Sequence, residues 1–377
     1  MAGLSIALAS SNVGWGGSEE LWTQAAAALA RDGHRITVLK DRLDGGVPVI
    51  QELSRLGARL VALERTPFSA APLHRRIPQS WRFTFGAHRF GQALQRLKPD
   101  LVVLSQGGND DGWRLGAACR RLGLRYVLIA QFASDMQWPS DGRRRLLQPI
   151  YRDAAHCFFV SEHNKRLTEE QLGIRIDHAS VVRNPFKVPW APRNDWPDGD
   201  GLRLACVGRL HPEHKGQDIL MRVLAQPKWR TRPVSLTLFG SGGRAEGLEG
   251  LAAMLGLTSV DFAGQVDDIP AIWDDHHCLA LPSRAEGLPL VLIEAMLSGR
   301  VPIATRVAGI PEVVEDQVTG FLADGPTEAA FDDALERAWR ERERLSAIGK
   351  AAATKIRTLV PEDPAGAFAD CLLDYCR

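Results

Sequence analysis

A chain of 377 residues is long enough to bury two separate hydrophobic cores of ordinary domain size. With 45% apolar and 24% charged residues it reads as globular and soluble, and a formal net charge of +1 excludes a dedicated nucleic-acid-binding module. No stretch approaches the roughly 18 uninterrupted apolar residues of a membrane span, the N-terminus lacks the basic region of a signal peptide, and six cysteines without a CxxC pair read as reduced core thiols of a cytoplasmic protein.

In chain order, Leu4–Ala9 reads as a buried strand, Gly14-Trp15-Gly16-Gly17 as a glycine-rich loop, and Glu19–Asp32 as a helix with Ser18 as its N-cap. His34–Lys40 completes a β-α-β unit, but no full G-x-G-x-x-G follows the first strand, so the dinucleotide fingerprint fails. Pro48–Leu56 and Phe83–Leu97 look helical, with Ala58–Ala62 and Asp100–Ser105 as strands. Between the helices, the basic and aromatic segment Arg65–Arg89 reads either as a solvated helix face or as a docking surface for an anionic acceptor or membrane headgroups. Two further strands, one ending at Gln106 and the other Tyr126–Ala130, run into the polar loops Gly107–Asp111 and Gln131–Asp135. Arg143–Arg145 lie on a helix, His156–Val160 is a strand, and Ser161 caps a helix reaching about Leu172. Pro189, Pro192, Pro197 and Gly199 mark a linker at about 185–200.

The second half repeats the strand-to-glycine pattern. Arg203–Val207 leads into Gly208-Arg209-Leu210-His211-Pro212-Glu213-His214-Lys215-Gly216, Val234–Phe239 into Gly240-Ser241-Gly242-Gly243, and Val260–Phe262 into Gly264-Gln265-Val266. Cys278–Leu281 and Val301–Thr305 bracket a loop and a helix that Gly299 closes, which makes a parallel strand-helix-strand unit. Ligands of such sheets sit beyond the carboxyl ends of the strands, where the loop Ser283–Leu288 falls. Glu286 in that loop and Glu294 in the helix frame a helix entry that favours an anion, an arrangement suited to a ligand with hydroxyls at both ends and phosphates between. The final helical segment is Pro364–Cys376.

Pro282-Ser283, Glu286-Gly287, Glu294-Ala295-Met296, Gly299, Pro302 and Gly309-x-Pro311-Glu312 closely resemble the donor-binding signature of the retaining glycosyltransferases of family 4. The resemblance implies an α/β GT-B fold: two facing Rossmann-like domains with parallel sheets and an interdomain cleft. It implies an acceptor-binding domain over 1–190, rejoined by the C-terminal helix at about 361–377, and a donor-binding domain over 200–360. It assigns Glu286 to the transferred sugar and Glu294 to the ribose, and Arg209 and Lys215 to the donor diphosphate, where fixed cations stabilise the leaving group. Gly16, Gly17, Gly240, Gln265, Val266, Gly287 and Leu288 become further donor contacts, and Asn109, Asp110, Gln131 and Asp135 acceptor candidates. The family often has a histidine where this chain has Gln131, which can hydrogen-bond a hydroxyl but cannot shuttle a proton.

The expected activity is transfer of a sugar from a nucleoside diphosphate sugar to an acceptor hydroxyl of a glycan, glycolipid or natural product, without a metal or other cofactor. The expected location is the cytoplasm, with peripheral contact at the inner membrane face through the N-terminal domain left open. A sugar-nucleotide epimerase and a noncatalytic sugar-nucleotide sensor are the alternatives. Release of nucleoside diphosphate in the presence of acceptor separates transfer from epimerisation, and turnover with the natural acceptor separates either from sensing.

Overall fold

The structure, a computed structural model, describes residues 3–12, 14–63, 79–191, 195–199 and 201–376, with the backbone alone for 79–86. It divides into two compact units, Met1–Pro185 with Asp363–Arg377, and Phe186–Glu362.

The first unit holds a seven-stranded sheet of β1 (Ser5–Ser10), β2 (Arg35–Lys40), β3 (Arg59–Ala62), β4 (Leu101–Gln106), β5 (Tyr126–Ala130), β6 (His156–Phe159) and β7 (Ala179–Val181), in the order β3-β2-β1-β4-β5-β6-β7. Every pairing is parallel, with Ile6 of β1 opposite Ile36 on one side and Leu101 on the other. Helices cover both faces, and that is why β4 and β5 are apolar runs buried from end to end rather than alternating strands. The helix Gly17–Arg31 carries the run Ala25–Ala28, and the C-terminal helix Pro364–Leu373 packs in the same core, where Phe368 meets Phe158 edge to face at 5.0 Å. Alanine on one helix leaves room for the other.

One helix start differs from expectation. The first helix begins at Gly17 with Gly16 as N-cap, and the Ser18 hydroxyl accepts from Asn12 Nδ2 at 2.8 Å instead of capping. Asn12 is drawn there by a buried network at the carboxyl ends of β1 and β2. Lys40 Nζ lies 2.8 Å from Glu19 Oε2, while Glu19 Oε1 accepts from Ser10 Oγ at 2.8 Å and from Asn12 Nδ2 at 3.0 Å. Lys40 also donates to the Asn12 carbonyl.

The second unit holds a six-stranded parallel sheet of β8 (Leu202–Val207), β9 (Val234–Phe239), β10 (Val260–Gly264), β11 (Cys278–Leu281), β12 (Val301–Thr305) and β13 (Phe321–Ala323), ordered β10-β9-β8-β11-β12-β13. The described residues of the expected linker at 185–200 group with this unit from Phe186 onward. Its prolines prevent helix, and the extended backbone finds partners instead. The Arg300 guanidinium donates to the Asp195 carbonyl at 2.7 Å, Arg357 donates to that of Trp190 at 2.9 Å, and Trp196 lies against His277 at 5.3 Å between ring centres. All six cysteines are free, and burial pushes the thiols of Cys119 and Cys206 up to about 12.

Lys40 and Glu19 are almost wholly buried, so removing one charge strands the other. Lys40→Met is expected to cost about 3–5 kcal/mol in denaturant unfolding of the first unit. The double variant Lys40→Met with Glu19→Leu should recover most of it.

Candidate functional site

The site in the second unit is built where β8 meets β11. After Val207 the chain turns through Gly208, and Leu210 N–H donates to the Ser241 carbonyl at 3.0 Å, tying this turn to the glycine loop after β9. Gly240 is there of necessity, since a Cβ on it would fall 2.0 Å from the Gly208 carbonyl oxygen. A single helical turn, Pro212–Lys215, ends at Gly216, whose φ of +68° suits glycine. A Cβ at Gly216 would lie 1.9 Å from the Pro282 carbonyl oxygen, so this glycine lets the turn press directly onto the loop after β11.

That contact is reinforced twice. The backbone N–H groups of Arg284 and Ala285 donate to the His214 carbonyl at 2.7 and 3.2 Å. The Arg284 side chain forms a two-pronged pair with Asp218, at 2.6 and 3.0 Å, and donates to the Pro212 carbonyl at 2.7 Å. Desolvation alone would raise the Asp218 carboxyl, but Arg284 and Arg222 outweigh it and hold the group below the usual carboxylate range.

Lys215 therefore meets Glu286. Its Nζ lies 2.6 Å from Glu286 Oε1, which also accepts from Ser283 Oγ at 2.7 Å, and the two side chains are 18% and 8% exposed. Lys215 is mostly buried and ion-paired, because the close approach at Gly216 closes the turn over the Glu286 loop. Arg209 is exposed, with its carbonyl accepting from Gln217 Nε2 at 2.8 Å. Burial, followed by the charges of His211 and Arg209, lowers His214 from its ordinary value.

Glu294 sits in the helix Leu290–Leu297, which is apolar apart from that one residue and almost wholly buried. Its Oε1 accepts from Lys187 N–H at 3.0 Å. Gly287 and Leu288 are buried beside Glu286, and the Gly287 carbonyl accepts from Gly309 N–H at 3.0 Å, joining the two halves of the signature. Gln265 and Val266 follow β10, with Gln265 exposed and accepting from Ser241 Oγ at 3.3 Å. The nine candidate residues of this unit, from Arg209 to Glu294, thus lie beyond the carboxyl ends of β8, β9, β10 and β11 or in the helix that follows the loop after β11. The Arg284–Asp218 pair was missed, since two ordinary charges 66 positions apart give no local signal.

In the first unit Gly16 and Gly17 are exposed at the start of the first helix, above the Glu19–Lys40 network. Asn109 is buried with its amide donating to Thr168 Oγ1 at 2.9 Å and Gln171 Oε1 at 2.7 Å, so that amide is spent on the fold. Asp110 lines a cavity of about 180 Å³ together with Ser10, Asp41, Asp111, Trp113 and Arg143. Burial raises Asp111 despite its hydrogen bond from Gly108 N–H. Asp135 is exposed, 3.6 Å from His163. Gln131 is buried at the end of β5, where its Oε1 accepts from Asn184 Nδ2 at 2.8 Å. The segment Arg65–Arg89 falls largely outside the residues described in full. Among the described residues no group of three His, Cys, Asp or Glu is placed to hold a metal ion, and no helix is long and apolar enough to cross a membrane.

This arrangement can be set beside known proteins. The family model for glycosyl transferases group 1 matches residues 201–341, and that for a glycosyl transferase 4-like domain matches residues 16–185. A D-inositol 3-phosphate glycosyltransferase of Actinosynnema mirum is 35% identical over 85% of this chain and 83% of its own. This chain belongs to the family 4 glycosyltransferases. A GDP-mannose-dependent phosphatidylinositol monomannoside mannosyltransferase of Mycolicibacterium smegmatis is 28% identical over 84% of each chain. Among solved structures, HepE of Anabaena in complex with UDP matches with a TM-score of 0.77 at 19% identity, over 98% of this chain and 100% of that one, which establishes the GT-B fold.

In this glycosyltransferase the Arg284 fork holds the two halves of the site together. Arg284→Lys keeps the charge but loses the two-pronged pair. It is expected to cost about 1.5–3 kcal/mol in thermal unfolding, the range for a hydrogen bond to a charged group. A change below the error of the melt would show that the fork carries no load.

Proposed function

We propose that the protein transfers a sugar from a nucleoside diphosphate sugar to an acceptor hydroxyl with retention of anomeric configuration. The observation that carries this reading is the Lys215–Glu286 ion pair, in which the loop after β8 meets the loop after the neighbouring strand β11. Arg209 and Lys215 receive the diphosphate, whose charge grows as the glycosidic bond breaks. Glu286 holds a hydroxyl of the transferred sugar and Glu294 the ribose. Gly240, Gln265, Val266, Gly287 and Leu288 supply the walls of the donor site in the second unit. In the first unit, the exposed Gly16 and Gly17 leave their loop open to close backbone approach by a ligand, and Asp110, Gln131 and Asp135 are the proposed acceptor contacts. Two fixed cations meet the leaving-group charge, so no divalent metal or other cofactor is proposed.

Retention without a covalent intermediate is what the resemblance to the family implies. Double displacement needs a carboxylate on the far face of the sugar. The carboxylates considered for that role, Asp110, Asp111 and Asp135, lie in the first unit among the acceptor candidates. We infer that the acceptor attacks from the leaving-group side and the departing phosphate takes its proton. Gln131 in place of a histidine suits this route, because no side-chain base is required. The cytoplasm, with peripheral contact at the inner membrane face through the first unit, remains the proposed location. The relatives' acceptors, an inositol phosphate and a phosphatidylinositol mannoside, point to a polyol or glycolipid acceptor.

The test is an assay with a panel of nucleotide sugars and inositol-type acceptors, with and without a chelator, and NMR of the first product. The donor's anomeric configuration should be kept and chelation should not matter. Inversion, or activity abolished by chelation and restored by magnesium or manganese, overturns the mechanism.

The ion pair makes a second expectation with an unusual sign. In the unliganded chain Glu286 competes with phosphate for Lys215, so Glu286→Gln should bind UDP or GDP alone more tightly while turning over more slowly. Lys215→Ala should weaken that nucleotide and lower turnover by about 100-fold or more, as losing one transition-state donor does. Unchanged nucleotide affinity in both variants, measured by calorimetry, would separate Lys215 from the diphosphate.

A further inference from the structure

The loop after β8 carries two histidines that the donor signature does not use: His211 precedes the single helical turn Pro212–Lys215 and His214 lies in it. Their rings are 4.8 Å apart, tilted by 54°. His211 Nδ1 lies 3.2 Å from Glu213 Oε2, and the other oxygen of that carboxylate accepts from Arg244 Nε at 3.1 Å. Glu213 is thus shared between His211 and an arginine from the loop after β9.

His214 stands closer to the proposed chemistry. It is the neighbour of Lys215, and its backbone carbonyl accepts the Arg284 and Ala285 N–H groups, which pins the turn to the loop that carries Glu286. Burial, then the charges of His211 and Arg209, disfavour a proton on its ring; Glu286 favours one, and Lys215 opposes it. The other charges of these elements are matched locally, Arg284 and Arg222 by Asp218 of the helix Gln217–Leu224, and Arg244 by Glu213. In the unliganded chain burial and the surrounding cations outweigh Glu286, so the imidazole is neutral at neutral pH.

A diphosphate reverses that balance. It brings negative charge to Arg209 and Lys215, two of the cations that keep the proton off. Once phosphate matches them they no longer oppose an imidazolium, and the phosphate charge itself favours one.

We propose that His214 is a third group of the diphosphate site and takes up a proton when a nucleotide sugar binds. This rests on the glycosyl-transfer reading above, in which Arg209 and Lys215 receive the diphosphate, and adds a residue that the signature does not contain. The imidazolium is a cation present only while the ligand is: it supports the leaving group without adding a third positive charge to the empty site.

The sign of the pH dependence follows by linkage. Binding raises the ring above its unliganded value, so the added affinity is complete below that value and is lost as pH rises through the liganded one. Between the two, affinity falls by up to about tenfold for each unit of pH, the slope for one proton.

The experiment uses the full chain with UDP-glucose and GDP-mannose as probes. The terminal phosphate of free UDP or GDP titrates at about 6 and would add a proton of its own, whereas a nucleotide sugar has no such terminal phosphate. Calorimetry in two buffers of different ionisation enthalpy, between about pH 5 and about pH 8 where histidine titrates, counts the protons taken up. The parent should take up a proton and bind more weakly as pH rises. His214→Asn should abolish both effects while melting close to the parent, since the hydrogen bonds that pin the turn use the backbone carbonyl. His211→Asn should keep the uptake and move it to higher pH, because a neighbouring positive charge is gone. Binding without uptake in the parent, uptake that survives in His214→Asn, or uptake lost in His211→Asn overturns the proposal. A parent that binds neither probe nor any other nucleotide sugar of a panel overturns the functional reading, and this inference with it.

Discussion

The close approach of Gly216 to the Pro282 carbonyl is the constraint on which the second unit's site depends. Any side chain at position 216 would fill the 1.9 Å gap, and a left-handed φ there adds a second reason for glycine. Because the two loops touch, the His214 carbonyl can serve the Arg284 and Ala285 amides, Arg284 can reach Asp218, and Lys215 can reach Glu286. A cation and a carboxylate brought this close in a partly desolvated place attract more strongly than they would in water. The pair is best seen as a held state: two groups that a charged, hydroxyl-bearing ligand can part by offering each a better partner.

Most of the framework was legible in the sequence. The strand-loop-helix rhythm with glycine at each carboxyl end is a local pattern, and strands such as Tyr126–Ala130 and Cys278–Leu281 were readable to the residue because apolar runs between turn signals leave little choice. The Glu286…Glu294 spacing, read with its neighbours, pointed to the carboxyl end of β11, where Glu286 pairs with Lys215. Long-range pairing was not legible. Nothing near Lys40 announces that it will be buried against Glu19, and the Ser18 cap failed because Asn12, from the preceding strand, took that hydroxyl. The same holds at 185–200, where proline reads as linker until Glu294 and the carbonyl acceptors of Asp195 and Trp190 turn up elsewhere in the chain.

The first unit shows why loop composition alone ranks acceptor residues poorly. Asn109, Asp110, Gln131 and Asp135 look alike in sequence, all polar and all beyond strand ends. In the fold they separate: Asn109 is used up by Thr168 and Gln171, Asp135 faces solvent near His163, Asp110 borders a cavity, and Gln131 is buried with a donor to spare. What distinguishes them is the balance of hydrogen-bond supply against demand at each atom. That balance depends on helix Glu162–Leu172 and on Asn184, far along the chain.

The two units also differ in the kind of polarity they bury, and the difference matches the chemistry proposed for each. The second unit concentrates full charges, Arg209, Lys215 and Glu286, in and around one loop contact, as a ligand carrying two phosphates and a departing negative charge requires. The first buries neutral amides at the carboxyl ends of its own strands, and among its described residues the ion pair of Lys40 with Glu19 is almost wholly buried beside the glycine loop. Gln131 offers no ring nitrogen to take a proton, which is consistent with the proposed route in which the departing phosphate is itself the base.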